Sequence, residues 1–234
     1  MLYLWRRSLS QGWWLHAPWR TAGVVGVTPV GMKLDPSQQR TKHIYGLMTS
    51  LIVPRPIAWV GSRSVEGIDN LAPFSYFMGV SSKPPALAIS VARGRGMTLK
   101  DTAKNILETG VFTVSTVGAA LAEQMVLTSG RFSPDISEFA EAGLPSCLGD
   151  RVNAPRPTVA SATMECRLIH QHDMGSVHLL VGEVVLFHLA DDDVITQEDG
   201  GIVMDSERLQ PLARLGGTHY AELGRIRDVK PPST

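Results

Sequence analysis

The residues with the clearest chemical potential lie in one stretch of the chain, between residues 54 and 105. They offer an amide, several hydroxyls, a phenol, three cations and a carboxylate, in the order Asn70, Ser75, Tyr76, Ser90, Arg93, Arg95, Thr98, Lys100, Asp101 and Thr102. The cations come just before a predicted helix, whose N-terminus presents free N–H groups and a partial positive charge. This pattern predicts a phosphate site, although basic loops are also common on solvated surfaces.

Other chemical motifs are absent from the sequence. It contains no G-x-G-x-x-G dinucleotide motif, no P-loop, no H-E-x-x-H and no G-x-S-x-G. His170 and His172 share one face of a predicted strand but have no third ligand nearby. Cys147 and Cys166 are too isolated for a zinc site or a disulfide framework. We therefore predict no metal site.

Short strands and one helix are expected to position the candidate residues. Apolar runs predict strands at residues 57–61, 71–80 and 86–91, joined by turns at residues 66–70 and 83–85. Asn70 falls in the first of these turns, and Pro73 interrupts the second strand. The following helix is predicted to begin at Thr98 as N-cap, with Asp101 as the reciprocal partner, and to end at Gly110.

The rest of the chain continues as strands with a few helices. A strand at 111–117, a helix at 119–128 and a long polar excursion at 132–156 with a short helix around Glu138 are predicted. Residues 162–169 alternate with period two, which predicts a half-buried strand. Val177 to Leu189 is a longer apolar strand, in which Gly182 marks a bulge or a close backbone approach. This order predicts a mainly β fold, an antiparallel barrel with helical insertions.

The overall composition is that of a globular protein, with 44% hydrophobic and 19% charged residues. The 22 basic and 22 acidic residues cancel, which gives no support to nucleic-acid binding. No apolar run is long enough for a transmembrane helix. Two isolated cysteines favour a reducing compartment, so a cytoplasmic location is expected.

Residues 1–34 differ in composition from the remaining 200 residues. They hold four basic residues, no acidic residue and four of the five tryptophans. A targeting peptide and a membrane-surface helix are alternatives, although no apolar core with a cleavage site and no unbroken helix is visible. We favour a start codon placed too early, with Met32 as the natural beginning. The expected organisation is a poorly ordered extension at 1–34, a domain at 35–224 and a polar tail at 225–234.

One family resemblance covers about residues 35–224. The strings PRPIAWVGSRSVEGIDNLAPFSYFMGVSSKPPALAISV and KDTAKNI resemble the flavin reductase-like family of FMN-binding split barrels, as do VGEV at 181–184 and RLGGTHY at 214–220. The resemblance implies a split β-barrel that forms a homodimer, with FMN bound near the dimer interface.

The resemblance also implies roles for the candidate residues. The flavin ring and ribityl chain would be lined by Asn70, Ser75 and Tyr76. The phosphate would be approached by Ser90 and Arg93, and that end would be completed at the helix start by Thr98, Lys100, Asp101 and Thr102. Simpler interpretations stay open: a helix cap for Thr98 and Asp101, a turn for Asn70, barrel core for Tyr76 and Trp59, and a strand start fixed by Arg55.

The catalytic residue is left unassigned, with His178 as the one candidate. Many members of the family carry a histidine in a Gly-Asp-His segment near the nicotinamide. The corresponding segment here, Gly175-Ser176-Val177-His178, lacks the aspartate. Hydride transfer to a flavin requires no particular protein acid or base, because the cofactor supplies the chemistry.

The function implied by the resemblance is an FMN-binding oxidoreductase. NADH or NADPH would reduce the flavin, and electrons would pass to a partner monooxygenase or another acceptor. Three alternatives remain: a flavin-binding electron carrier without nicotinamide turnover, an oxidase of the pyridoxamine-phosphate type, and a structural module. Uptake of FMN and its bleaching by a nicotinamide discriminate among them.

Overall fold

The computed structural model describes residues 31–230 and residue 232. The expectations about order and targeting in residues 1–30 therefore lie outside the described residues. A short 3-10 turn at Pro36–Gln38 is capped by the carboxylate of Asp35, and the compact body begins at Arg40. In the range that the structure covers, no helix is long and apolar enough to cross a bilayer.

Five short helices and fourteen strands make up the described part of the chain. The helices are α1 (Thr41–Leu51), α2 (Asp101–Thr109), α3 (Ala122–Leu127), α4 (Glu138–Glu141) and α5 (Ser206–Leu209). The strands are β1 (Arg55–Pro56), β2 (Ala58–Arg63), β3 (Asp69–Phe74), β4 (Phe77–Ser82), β5 (Pro85–Ala92), β6 (Val111–Ser115), β7 (Ser146–Leu148), β8 (Pro155–Pro157), β9 (Ala162–Asp173), β10 (Val177–Leu189), β11 (Val194–Thr196), β12 (Ile202–Met204), β13 (Ala213–Arg214) and β14 (Tyr220–Ala221).

Seven strands form one antiparallel sheet in the order β3-β2-β6-β9-β10-β5-β4. The first strand, β3, also packs against β5 near the other end, without a hydrogen-bonded ladder between them. The sheet therefore curls into a barrel that stays open between its two edge strands. The predicted fold class, a mainly β antiparallel barrel with helical insertions, is confirmed.

The predicted strand at 71–80 is wrong as a single element, because the chain changes neighbours in its middle. Residues 69–74 pair with β2, whereas residues 77–82 pair with β5 at the opposite end of the sheet. Ser75 and Tyr76 make the crossing. The predicted turn position of Asn70 is wrong as well: Asn70 lies inside β3, opposite Ser62, and is buried.

Two apolar cores support the barrel. The first fills the inside of the sheet and includes Ile89, Phe112 and Leu180, with Ala103 and Ile106 of α2 packed into it as predicted. The second lies around Trp59 and joins β2 to α3 and α4. Trp59 is completely buried, as expected for a core residue. The start of α2 and the segment after α3 lie near each other beside β3.

The hairpin β9–β10 links the two halves of the sheet. Strand β10 pairs with β9 on one side and β5 on the other, and its register with β9 shifts between Val181 and Gly182. A Cβ atom at Gly182 would lie 2.4 Å from Cζ of Phe112. The predicted bulge and the close approach at Gly182 are both confirmed.

The predicted half-buried alternation of residues 162–169 is wrong at Thr163 and Glu165. Thr163 and Glu165, expected on the open face, are both buried. The loop after β7 covers that face, and the backbone N–H groups of Asp150, Arg151 and Val152 donate hydrogen bonds of 2.7 to 2.9 Å to the Glu165 carboxylate. A period-two pattern cannot reveal a cover that comes from another part of the chain.

Candidate functional site

A groove of about 800 Å³ runs along β3, between that strand, the end of β5 and the N-terminus of α2. Its remaining wall is formed by residues 128–132, which follow α3. The groove brings together six of the predicted site residues: Asn70, Arg93, Thr98, Lys100, Asp101 and Thr102. Its size is in the range of small-molecule and cofactor sites.

The other three predicted ligands lie outside this groove. The Ser75 hydroxyl accepts a hydrogen bond from Nε of Arg55 at 3.2 Å, and the Tyr76 ring lies 6.0 Å from the Arg55 guanidinium carbon. Ser90 is half-buried in β5, and its N–H donates to the carbonyl oxygen of Tyr76. Ser75 and Tyr76 thus surround Arg55, in agreement with the alternative that Arg55 fixes the start of the strand.

The loop between β5 and α2 forms the basic end of the groove. The Arg93 guanidinium donates to the carbonyl oxygens of Gly175 and Met97 and, at 2.7 Å, to the Asp173 carboxylate. Met97 adopts a φ of 64°, a left-handed conformation that is costly for a residue with a side chain. Arg93 therefore holds a strained loop in place beside the groove.

The predicted helix cap at Thr98 is wrong. Helix α2 begins at Asp101 with Lys100 as N-cap, and no side chain caps it. The Thr98 hydroxyl donates instead to the carbonyl oxygen of Arg95, and the Gly94 N–H donates to the carbonyl oxygen of Thr98. The loop thus closes on itself before the helix begins, and the uncapped N–H groups of α2 remain available near the groove. The predicted helix end is confirmed, since Gly110 has a φ of 73°.

His178 lies behind Arg93 rather than on the groove surface. Only 6% of His178 is exposed, and its Nε2 atom lies 2.8 Å from a terminal nitrogen of Arg93. A guanidinium can only donate, so Nε2 must accept and the ring proton must sit on Nδ1. Among the described residues, Nδ1 has no hydrogen-bond partner.

The carboxylate of Asp173 lies near His178. It comes from the end of β9 and not from the position of the aspartate in a Gly-Asp-His segment. An oxygen of Asp173 is 3.8 Å from His178 Nε2 and 2.7 Å from Arg93. The backbone N–H of Gly175 and the Arg93 guanidinium lower the pKa of Asp173. Asp173 thus stays ionised, and its nearer partner is Arg93 rather than His178.

A buried polar network forms the floor of the groove around Asn70. Asn70 Oδ1 accepts from the hydroxyls of Thr102 at 2.9 Å and Ser62 at 3.2 Å, and Asn105 donates to Ser62. Asn70 Nδ2 donates to Glu138 at 2.8 Å. Burial raises the pKa of Glu138, and the hydrogen bonds from Asn70 and the Leu71 N–H oppose that rise. The sequence predicts Asn70 and Thr102 as site residues, whereas it predicts Glu138 only as part of a short helix.

A second cavity of about 380 Å³ adjoins the groove on the other side of this network. The two spaces share Asn70, Asp101 and Glu138 as lining residues. Residues 134–136 close the second cavity, just as residues 129–132 close the groove. One continuous segment therefore borders both spaces.

Asp150, Glu165 and His188 form a separate cluster, with one ligand-type atom from each lying within 4.8 Å of the others. Both Glu165 oxygens already accept hydrogen bonds, from three backbone N–H groups and from His188 Nε2 at 2.5 Å. A cation would have to displace these donors. We therefore interpret the cluster as an anchor for the loop at 149–152, which the sequence did not predict.

Comparison with known proteins places this chain among relatives of similar length. A family model described as "Flavin reductase like domain" matches residues 48–208. An uncharacterized protein of Aquifex aeolicus is 39% identical over 76% of this chain and 89% of its own length. The uncharacterized protein YwrF of Bacillus subtilis is 40% identical over 84% of this chain and 97% of its own length.

Solved structures agree with this placement. Nitrilotriacetate monooxygenase component B from Bacillus cereus matches with a TM-score of 0.78 and 34% identity, covering 85% of this chain and 98% of that one. The 2-nitrobenzoate 2-nitroreductase of Pseudomonas fluorescens matches with a TM-score of 0.76 and 31% identity, covering 86% and 96%. A split barrel domain from Shewanella frigidimarina shares the fold at a TM-score of 0.73 and 21% identity, covering 86% and 100%. The chain therefore belongs to the flavin reductase-like family, and its fold is a split β-barrel.

Proposed function

We propose that this protein is a flavin-dependent oxidoreductase that binds FMN in the groove and accepts electrons from NADH or NADPH. The observation that carries the proposal is the groove itself, which joins a basic loop and a helix N-terminus to an apolar wall. Membership of the flavin reductase-like family supports the same assignment. The bound flavin would supply the hydride-accepting chemistry, and the chain would bind and orient it.

The basic end of the groove fits a phosphate. Lys100 and Arg95 line it beside the uncapped N-terminus of α2, and Arg131 of residues 128–132 lines the same groove. Arg93 lines the same end but is already paired with Asp173. Cations and free N–H groups in this arrangement bind phosphate through charge-assisted hydrogen bonds. We assign the phosphate to Lys100 and the start of α2, with Thr98 and Thr102 nearby.

The remaining walls fit the less polar part of a flavin. Pro73, Phe74 and Phe132 line the groove together with Ala72 and Ala92. Flat apolar side chains can pack against an aromatic ring system, while Asn70 at the floor offers a polar contact. The groove thus combines the two chemistries that FMN requires.

An absorbance titration tests the cofactor. Purified protein is mixed with FMN, and then with NADH or NADPH in the absence of oxygen. Flavin peaks that are perturbed by binding and bleached by a nicotinamide are expected. Protein that fails to perturb the FMN spectrum at any concentration would contradict the assignment of the groove.

The phosphate assignment is tested with Lys100→Ala and with riboflavin, which lacks the phosphate. We expect this variant to weaken FMN binding about tenfold, with a much smaller effect on riboflavin. Lys104→Ala is the matched control, since Lys104 lies one turn further along α2 and lines only the second cavity. Equal losses for FMN and riboflavin would place the phosphate elsewhere.

A flavin-binding electron carrier is the second candidate, and the surroundings of His178 favour it. Nε2 of His178 is occupied by Arg93, and the family's Gly-Asp-His aspartate is missing, so no histidine is presented to a nicotinamide at this place. A protein that binds FMN but is not bleached by either nicotinamide would favour the carrier. The oxygenase component named for the Bacillus cereus structure supports a partner oxygenase as one acceptor.

We also propose that the protein is a homodimer. Helix α1 exposes Tyr45 and Leu51, and the edge strand β4 exposes Met78 and Val80. Apolar groups concentrated on one helix and one sheet edge are typical of a surface covered by another chain. A second copy is the occupant implied by the family resemblance.

Sedimentation equilibrium tests the dimer, with an expected mass of twice 25.4 kDa. Leu51→Glu is expected to shift the equilibrium towards the monomer, because it places a charge in the apolar surface. Val65→Glu serves as a control, because Val65 is similarly exposed but lies in the turn between β2 and β3. A wild-type monomer at micromolar concentration would contradict the proposal.

A further inference from the structure

Glu138 is buried at the boundary between the groove and the second cavity, and only 8% of it is exposed. One carboxylate oxygen accepts two hydrogen bonds, from Asn70 Nδ2 at 2.8 Å and from the Leu71 N–H at 3.0 Å. Both donors belong to β3. Glu138 therefore joins the first residue of α4 to the strand that forms the floor of the groove.

This contact determines which way the Asn70 amide points. The Glu138 oxygen that accepts from the Leu71 N–H is an acceptor, so the amide nitrogen of Asn70 must face it and the amide oxygen must face Thr102 and Ser62. Both lone pairs of that oxygen are then in use. The only hydrogen-bonding capacity that Asn70 retains is its second N–H, a donor.

Glu138 also holds one end of the segment that borders both spaces, which we call the groove wall (residues 128–138). The other end is held at Thr128, whose hydroxyl accepts a hydrogen bond from Nε1 of the buried Trp59 at 2.8 Å. Between these anchors, residues 129–132 line the groove and residues 134–136 line the second cavity. The position of the groove wall thus depends on two buried hydrogen-bonded anchors.

We propose that Glu138 is a positioning residue for the groove, because it fixes Asn70 as a hydrogen-bond donor and holds the groove wall against β3. The inference rests on the proposed function, since the ligand it prepares for is a flavin. It also goes further, because it requires that the ligand atom next to Asn70 be an acceptor, such as a flavin carbonyl oxygen or an unprotonated ring nitrogen.

Three variants test whether FMN affinity depends on the hydrogen bonds that the Glu138 side chain accepts. Glu138→Gln keeps one oxygen that can accept both hydrogen bonds, so FMN affinity is expected to stay within about threefold of wild type. Glu138→Ala removes the acceptor and is expected to weaken FMN binding about tenfold. Glu141→Ala, on the exposed side of the same helix, is the matched control and is expected to bind like wild type.

A double-mutant cycle shows whether Glu138 acts through Asn70. If it does, Glu138→Ala combined with Asn70→Ala will weaken FMN binding by much less than the product of the two single losses. Independent roles would multiply the two losses, to about a hundredfold. Multiplied losses, or an unchanged affinity in Glu138→Ala, would overturn the proposal.

Amide hydrogen exchange, measured in the flavin-free protein, tests the anchoring role of Glu138 independently of the proposed FMN binding. Glu138→Ala is expected to speed exchange of the Leu71 amide and of residues 129–137, whereas Glu138→Gln and Glu141→Ala leave it unchanged. Unchanged exchange in Glu138→Ala would overturn the anchoring role. Faster exchange in a protein whose wild type binds no FMN would support the anchor and contradict only the flavin assignment.

Discussion

Arg55 carries a positive charge in the interior of the body, with 4% of its surface exposed. Its guanidinium donates to the carbonyl oxygens of Thr49, Ile52 and Leu215 and to the Ser75 hydroxyl. These partners come from the end of α1, the crossing between β3 and β4, and the C-terminal part of the chain. A single side chain therefore holds three separate regions at one corner of the barrel.

Arg55→Lys is expected to lower the free energy of unfolding by about 2–3 kcal/mol, because lysine keeps the charge but loses the planar fork of five donors. Chemical denaturation measures the change. Arg167→Lys, at an exposed position on β9, is the control and should alter stability by less than about 0.5 kcal/mol. Equal effects at the two positions would mean that the charge alone matters.

Glu165 makes a contribution to stability that depends on pH. Burial raises the pKa of Glu165, but hydrogen bonds from His188 and from the backbone N–H groups of residues 150–152 outweigh burial and lower it below the ordinary value of 4.5. A lowered carboxyl pKa stabilises the folded state above the unfolded value, and this stabilisation is lost as pH falls through the folded value. We expect the wild type to lose stability below about pH 4.5.

Glu165→Gln is expected to lower stability at pH 7 by about 3 kcal/mol and to flatten the acid side of the profile, because two or more donors lose an ionised acceptor. Urea unfolding between pH 7 and pH 3 measures both effects. Glu183→Gln, on the neighbouring strand β10, is the control, because the Glu183 side chain is only half-buried and is not held by the loop at 149–152. A parallel acid profile in Glu165→Gln would assign the acid sensitivity to other carboxylates.

Among the elements, β2 is restricted by the strand that lies over it. A Cβ atom at Gly61 would lie 2.0 Å from the carbonyl oxygen of Pro155 in β8 and 2.5 Å from the Thr113 hydroxyl. Backbone cannot move aside as a flexible side chain can. Gly61 thus permits β8 to pack directly on the sheet.

Gly61→Ala is therefore expected to lower the free energy of unfolding by about 3 kcal/mol or more. Gly79→Ala provides the comparison within β4, where nothing lies within 4 Å of the added carbon, and should change stability by less than about 1 kcal/mol. Thermal unfolding of the two variants side by side measures the difference. Similar unfolding temperatures would show that β8 can shift away from β2.

The elements that were predicted well are those whose signals are local. The strand at 177–189, the bulge at Gly182 and the helix end at Gly110 each depend on neighbouring residues. The strand at 71–80 and the cap at Thr98 were predicted wrongly, because the outcome depends on partners elsewhere in the chain. Helix α1 was not predicted, although Ile44, Leu47, Met48 and Leu51 recur at the spacing of one helix face.

The same distinction applies to the candidate site. Six predicted residues meet in the groove because they lie near the ends of adjacent elements, and residue type alone indicated their chemistry. Glu138 and Thr128 lie at the two ends of the groove wall, and although a short helix is predicted around Glu138, no periodic pattern shows what these side chains contact. Their importance arises from burial beside β3 and Trp59, which only the fold reveals.

At the scale of the whole molecule, the order of strands in the sheet differs from their order in the chain. Strands β2, β3 and β6 form one group and β4 and β5 another, and the only hydrogen-bonded link between the groups in the described sheet is the hairpin β9–β10. Ladders between residues so distant in sequence carry a high loop-closure cost, which favours slow folding.

The position of this hairpin has a consequence for synthesis on the ribosome. The first 115 residues contain five of the seven strands of the large sheet. The nascent chain cannot join these five strands into one sheet until β10, which ends at residue 189, has emerged. Chains ending at Thr158 are expected to be cut rapidly by a protease, whereas chains ending at Gly224 keep all fourteen strands and should resist it. Until residue 189 leaves the ribosome, the edges of both half-sheets stay unpaired, and unpaired strand edges are prone to aggregation.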